Sequence, residues 1–192
     1  MGTSVFYFGG YLASKTDINL WLGSARGLQP DVDFNGWAWP SGADSGQQAA
    51  VTGARKAGIL KQALEAIGRS TADKVYIVGH SSGCAIANAV DEALKDHDRV
   101  VLVALDGFSP SPGQLARAST QAWAAECDGK VSGNYRRLKE AVGGRLKVWR
   151  ATDAKGAWAL HFSVVNAAAS DRSVKKVQQG YANCRTNLMW MC

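Results

Sequence analysis

The stretch KVYIVGHSSGCAIANA, Lys74 to Ala89, decides the reading of this chain. Val75 to Val78 is a short run of β-branched and aromatic residues bounded by turn formers, which predicts a buried strand. Gly79-His80-Ser81-Ser82-Gly83 follows, and then small residues with Ile86 and Val90 at helical spacing. Strand, sharp turn and helix around G-x-S-x-G form the pattern of a nucleophile elbow. There the central Ser occupies a strained backbone conformation that lifts its hydroxyl clear of the turn. Side chains two positions to either side would collide, hence Gly at both. Only Ser81 has that spacing; Ser82 would need glycines at His80 and Cys84. The backbone N–H of Ser82 falls instead where an oxyanion donor is expected.

Working outward, a chain of 192 residues suits one domain, 1–192, with a sizeable core. Apolar residues make up 46% and charged residues 20%, the balance of a folded globular protein. The net charge is +6, but Lys and Arg are scattered rather than gathered into a stripe, so nucleic acid is not an expected partner. No apolar run reaches 18 residues, which argues against stable membrane insertion. MGTSVFYFGG has neither a basic start nor a long apolar segment and reads as a strand rather than a secretion signal, so a cytoplasmic location is expected. Cys84, Cys127, Cys184 and Cys192 form no C-x-x-C pair, and there are three His, so no metal site is expected. Cys84 reads as a small buried hydrophobe; the state of the other three is open.

Ser4 to Phe8 reads as a strand ending at Gly9-Gly10-Tyr11, where two glycines allow close backbone approach. Lys15 to Gly27 reads as a helix, Asp31 to Trp39 as a weak strand, and Asp44 to Ile67 as one long helix whose apolar residues recur at three and four. A helix over 82–94 and the strand Arg99–Leu105 follow the elbow; the continuous apolar run RVVLVAL suits a strand covered on both faces. Phe108 to Gly144 reads as the longest stretch without a strand, with helices over 114–126 and 134–142. Arg145 to Arg150 alternates like a strand, and 162–181 is largely helical. Strands alternating with helices predict an α/β fold: a mostly parallel sheet of five to six strands with helices on both faces.

This order of elements, with GHSSG at residues 79–83, resembles the α/β-hydrolase superfamily, and the compact layout is similar to cutinases and other minimal lipase-like hydrolases. Phe6-Tyr7-Phe8-Gly9-Gly10-Tyr11 looks like the family's strand followed by H-G-x, with Gly9 where His usually stands. The resemblance implies a Ser, Asp, His order along the chain, with Ser81 as nucleophile and His161 as base. For the acid, the resemblance implies Asp153, which follows the strand whose loop supplies it in the family, with Asp106, which ends a strand on the same sheet edge, as the alternative. Asp153 and His161 are eight positions apart, too close for the family's usual last strand between them. The second oxyanion donor beside Ser82 would be the Tyr11 N–H.

His161 is favoured over His80, expected to point away from the hydroxyl's partner, and over His97, placed in a solvated loop. Gly10, Trp37, Trp39 and Trp123 are candidate substrate-binding residues. The two earlier tryptophans lie past a strand's C-terminal end, where open α/β sheets bind ligands, though packing against the sheet edge would account for them equally well. Residues 107–144 occupy the family's cap position and make a small cap or lid at most.

The expected activity is therefore hydrolysis of carboxylic esters by an esterase, lipase or thioesterase, on a small-molecule or lipid-like acyl ester and with no cofactor. Amide cleavage uses the same machinery. The competing expectation is a catalytically silent binding protein of the same fold. A phosphate-binding loop at 79–83 is disfavoured, because the Gly-Lys-Ser/Thr ending is missing.

Overall fold

A computed structural model of the chain describes residues 2–125, 133–149, 161–165 and 188–191. Six parallel strands form one sheet: β1 (Thr3–Phe8), β2 (Val32–Trp37), β3 (Lys74–His80), β4 (Val100–Leu105), β5 (Gln121–Ala125) and β6 (Lys147–Trp149). Their spatial order is β2-β1-β3-β4-β5-β6, so the chain first winds one way from β1 and then returns to build outward from β3. The reversal lies between β1 and β3, which pair with Phe8 opposite Gly79. That is the kind of crevice in which open α/β sheets place ligands.

Side-chain alternation along the central strands builds two cores. Val5, Tyr7, Tyr76, Val78, Val101, Val103 and Leu105 face α1 (Lys15–Leu28), residues 162–165 and Trp190. Phe6, Phe8, Val75, Ile77, Val100 and Leu102 face α2 (Gln47–Lys56), α3 (Ile59–Arg69) and α4 (Gly83–Glu92). The sheet is thus covered on both faces, as the apolar runs require. α1 begins with a capping box in which Ser14 Oγ accepts from the Asp17 N–H and the Asp17 carboxylate accepts from the Ser14 N–H, satisfying donors the helix leaves open.

Two expectations need correction. The helix expected over 44–67 is two helices, broken at Gly58, which sits at φ 73°. The apolar periodicity runs through the break and hides it, because both helices lay their apolar stripe on the same core. The helix expected over 114–126 is a short helix, α5 (Pro112–Leu115), followed by strand β5. Ala122 and Ala124 are buried beneath Leu138 and Val142 of α6 (Gly133–Val142), while Gln121 and Trp123 alternate to the other side. Alanine suits a helix by propensity, but here packing against neighbouring strands and α6 overrides it. Residues 107–125 and 133–144 therefore include a strand of the sheet, β5, and the helix that covers it.

Candidate active site

Three non-glycine residues have positive φ among the described residues: Leu12 at 59°, Ser81 at 56° and Asp106 at 46°. Each follows a strand, β1, β3 and β4 in turn, so all three gather at the C-terminal edge of the sheet. Strain of this kind costs about 1–3 kcal/mol per residue and concentrates at working sites.

The elbow explains Ser81. β3 ends at His80 and α4 begins at Gly83, leaving two residues to reverse the chain. The reversal brings α4 hard against the strands. A Cβ on Gly79 would overlap the Cys84 backbone, and one on Gly83 would overlap the Phe8 carbonyl. Glycine is the residue that permits such approach. Ser81 is half-buried, with its N–H donating to the Leu105 carbonyl at 3.0 Å. Gly10 lies against it: a Cβ there would stand 2.8 Å from Ser81 Cβ and 3.4 Å from Oγ. Cys84, one turn into α4, is buried; desolvation chiefly pushes its thiol up to about 12, so it is no rival nucleophile.

His161 and Asp106 meet beside the elbow. His161 Nδ1 lies 2.6 Å from Asp106 Oδ2, and both side chains are almost wholly buried. Asp106 is locked by its backbone as well. Its N–H donates to the Trp123 carbonyl at 2.8 Å, and its carbonyl accepts from Asn134 Nδ2 at 2.9 Å. Asp106, one of the two acids read from the sequence, is thus in contact with His161. Asp153 lies outside the described residues, as do Cys127, Cys184 and Cys192.

His80 is not turned away from His161. Its ring is fully buried, with its centroid 4.5 Å from that of His161 and 5.1 Å from that of Phe162. Its Nε2 lies 3.1 Å from the His161 carbonyl oxygen. Burial first, then the neighbouring His161, hold the His80 pKa well below the ordinary histidine value. The signal available in the sequence was that an imidazole in the last position of a buried strand needs a polar partner. His97 is half-buried rather than solvated, with Nε2 2.9 Å from the Asp91 carbonyl.

The Tyr11 and Ser82 amides, named from the sequence as oxyanion donors, have no backbone acceptor among the described residues. Ser82 sits at the start of α4, where helix geometry leaves N–H groups unpaired and favours a nearby negative charge. The Tyr11 loop is fixed from outside, by the Tyr11 hydroxyl on the Gly42 carbonyl at 2.9 Å and by the Leu12 N–H on Ser41 Oγ at 3.0 Å.

The tryptophans sit in packed surroundings. Trp37 stacks on Phe6 and Phe8, with centroids 6.3 and 5.4 Å away, and its Nε1 reaches Gln62 Oε1 at 3.3 Å. Trp39 is buried against the second core, 6.4 Å from the Tyr11 ring. Trp123 is half-buried on β5, with its Nε1 donating to Gln121 Oε1 at 2.8 Å and Lys147 Nζ 5.0 Å above its ring. No helix among the described residues is long and apolar enough to cross a membrane.

No protein-family model matches the chain, and no curated protein matches it. Among solved structures it resembles a candidate hydrolase of Agrobacterium vitis S4, at 15% identity and TM-score 0.48 over 78% of each chain. It also resembles an α/β serine hydrolase without a lid from Xanthomonas campestris, at 13% identity and TM-score 0.44 over 76% of this chain and 70% of the other. A third likeness is to a candidate hydrolase of the α/β superfamily from Xanthomonas campestris pv. campestris, at 15% identity and TM-score 0.44 over 95% and 96%. These are likenesses of fold.

Proposed function

We propose that this chain, an α/β-hydrolase by fold, is a serine hydrolase that cleaves carboxylic esters through an acyl-enzyme on Ser81. The observation that carries the reading is the buried His161–Asp106 pair, 2.6 Å apart, beside a Ser strained to φ 56° between β3 and α4. An imidazole whose Nδ1–H is engaged by a carboxylate presents Nε2 as its proton-accepting nitrogen. His161 takes the Ser81 hydroxyl proton through Nε2 as Oγ attacks the acyl carbonyl. Asp106 orients the ring and stabilises the imidazolium that forms. The Tyr11 and Ser82 amides receive the negative oxygen of the tetrahedral adduct, a term typically worth ~3 kcal/mol per donor. The adduct collapses, the C–O bond to the leaving alcohol breaks, and His161 returns its proton to that alcohol. Water, deprotonated by His161, then releases the acid and regenerates Ser81.

Asp106, rather than Asp153, is the proposed acid, on the strength of its 2.6 Å contact with His161 Nδ1. Substrates are small-molecule or lipid-like acyl esters. Hydrolysis of p-nitrophenyl acetate tests both assignments. Ser81→Ala abolishes turnover above the background, and Asp106→Asn lowers kcat by about 10^4 while Asp153→Asn leaves it within about threefold. Equal, mild effects of the two Asp substitutions would remove Asp106 from the mechanism, and undiminished turnover by Ser81→Ala would end the reading.

A further inference from the structure

We propose that His80 is a positioning residue: its imidazole ties the backbone of His161 to the residue immediately before Ser81, and so sets base and nucleophile in register. The inference rests on the reading of Ser81 and His161 given above and assigns the device that aligns them.

The His161 carbonyl can only accept, so the 3.1 Å contact places a proton on His80 Nε2. This donor is rigid. His80 closes β3 and pairs in register with Leu105, the residue before Asp106. His161 is therefore approached from two neighbouring strands: Asp106 takes the ring nitrogen, and His80 takes the main chain of the same residue. The ring of His80 also packs on the rings of His161 and Phe162. Farther along the 161–165 segment the Val165 carbonyl accepts from Trp21 Nε1 at 3.0 Å, which anchors its other end. A buried imidazole costs desolvation that Leu or Phe at this position would not incur. The hydrogen bond is what makes the polar ring worth burying there. A tether to residue 80 fixes the distance from residue 81, and an error of about 1 Å in such a distance can cost ~100-fold in rate.

The test compares His80→Phe, His80→Gln and the unsubstituted protein, each checked for a cooperative melt. Gln carries an amide N–H that can reach the same carbonyl; Phe fills the space without donating. Two quantities are read: kcat and KM on p-nitrophenyl acetate, and the proton resonance of His161 Nδ1–H in 15N-histidine-labelled protein. His80→Phe lowers kcat roughly 10- to 100-fold with KM within about twofold, and broadens or abolishes the Nδ1–H resonance. His80→Gln keeps the resonance and recovers kcat to within about threefold. Unchanged kcat and resonance in His80→Phe would overturn the proposal, as would a Gln variant as impaired as Phe. Should the unsubstituted protein hydrolyse no ester, the functional reading falls, and the resonance alone decides whether His80 holds His161. If His80→Phe does not fold, His80→Asn, whose shorter amide cannot reach the carbonyl, takes its place with the same expected results.

Discussion

At Ser81 the backbone stores strain so that one hydroxyl stands at a fixed point, and at Asp106 it does so for one carboxylate. Ser81 is followed by the start of α4, and Asp106 by Gly107. His80 and His161 show how burial sets charge at the same place. His80 stays neutral when folded because its pKa is depressed, chiefly by desolvation and next by His161. Unfolded, it titrates near the ordinary value of about 6.5. As pH falls below about 6.5 the unfolded chain takes up a proton that the folded chain refuses, so the fold loses stability, by at most ~1.4 kcal/mol per pH unit for one such proton. His80→Gln removes that contribution while keeping His161 and Asp106, the titratable groups grouped with it. Denaturant midpoints measured from pH 7 downward will therefore fall less steeply in His80→Gln. Parallel profiles would mean that His80 is not held neutral.

At the scale of elements, the glycines decide where the chain turns, and they decide how much of it was legible. The elbow could be read because Gly79 and Gly83 bracket Ser81 directly after an apolar strand. The strands β1, β3 and β4 could be read because each is a short apolar run covered on both faces. The break at Gly58 could not, because residues 54, 57, 59, 60, 63, 64 and 67 keep a helical apolar rhythm across it. Gly58 at φ 73° has only Gln62 Nε2 near a would-be Cβ, at 3.7 Å. Gly58→Ala thus meets no clash and pays the left-handed backbone alone, a loss of about 1 kcal/mol seen as a lower denaturant midpoint. No loss would mean that the two helices can merge into the single one suggested by the periodicity. β5 was illegible for a related reason: an Ala-rich segment has no propensity strong enough to announce a strand, and pairing with β4 settles it.

Across the whole molecule, the candidate site is assembled from segments far apart in sequence: residues 10–12, 80–82, 106 and 161. Sequence spacing could name Ser81 and leave two acids open, but could not show that β4 lies beside β3, which is what brings Asp106 close to the elbow. A buried cluster at the far end of α4 ties that helix to the segment between β4 and β5. The fully buried Asp91 carboxylate accepts from Gln114 Nε2 at 2.7 Å and pairs with Arg117, on the segment leading into β5. Removing the cation leaves a buried charge with too few partners. Arg117→Met should cost about 3 kcal/mol in denaturant unfolding, and Asp91→Asn added to it should restore part of the loss. Strictly additive effects of the two substitutions would show that the pair is not coupled.

The central claim is that Ser81 is made nucleophilic by its place between β3 and α4. A fluorophosphonate ester reads this directly, since it reacts with an activated serine hydroxyl and not with an ordinary one. After brief exposure at neutral pH, the peptide containing Ser81 should carry one phosphonyl group at that residue by mass spectrometry, and His161→Ala should suppress the adduct. A folded protein that stays unlabelled, or that is labelled equally at Ser82 or elsewhere, would contradict the account.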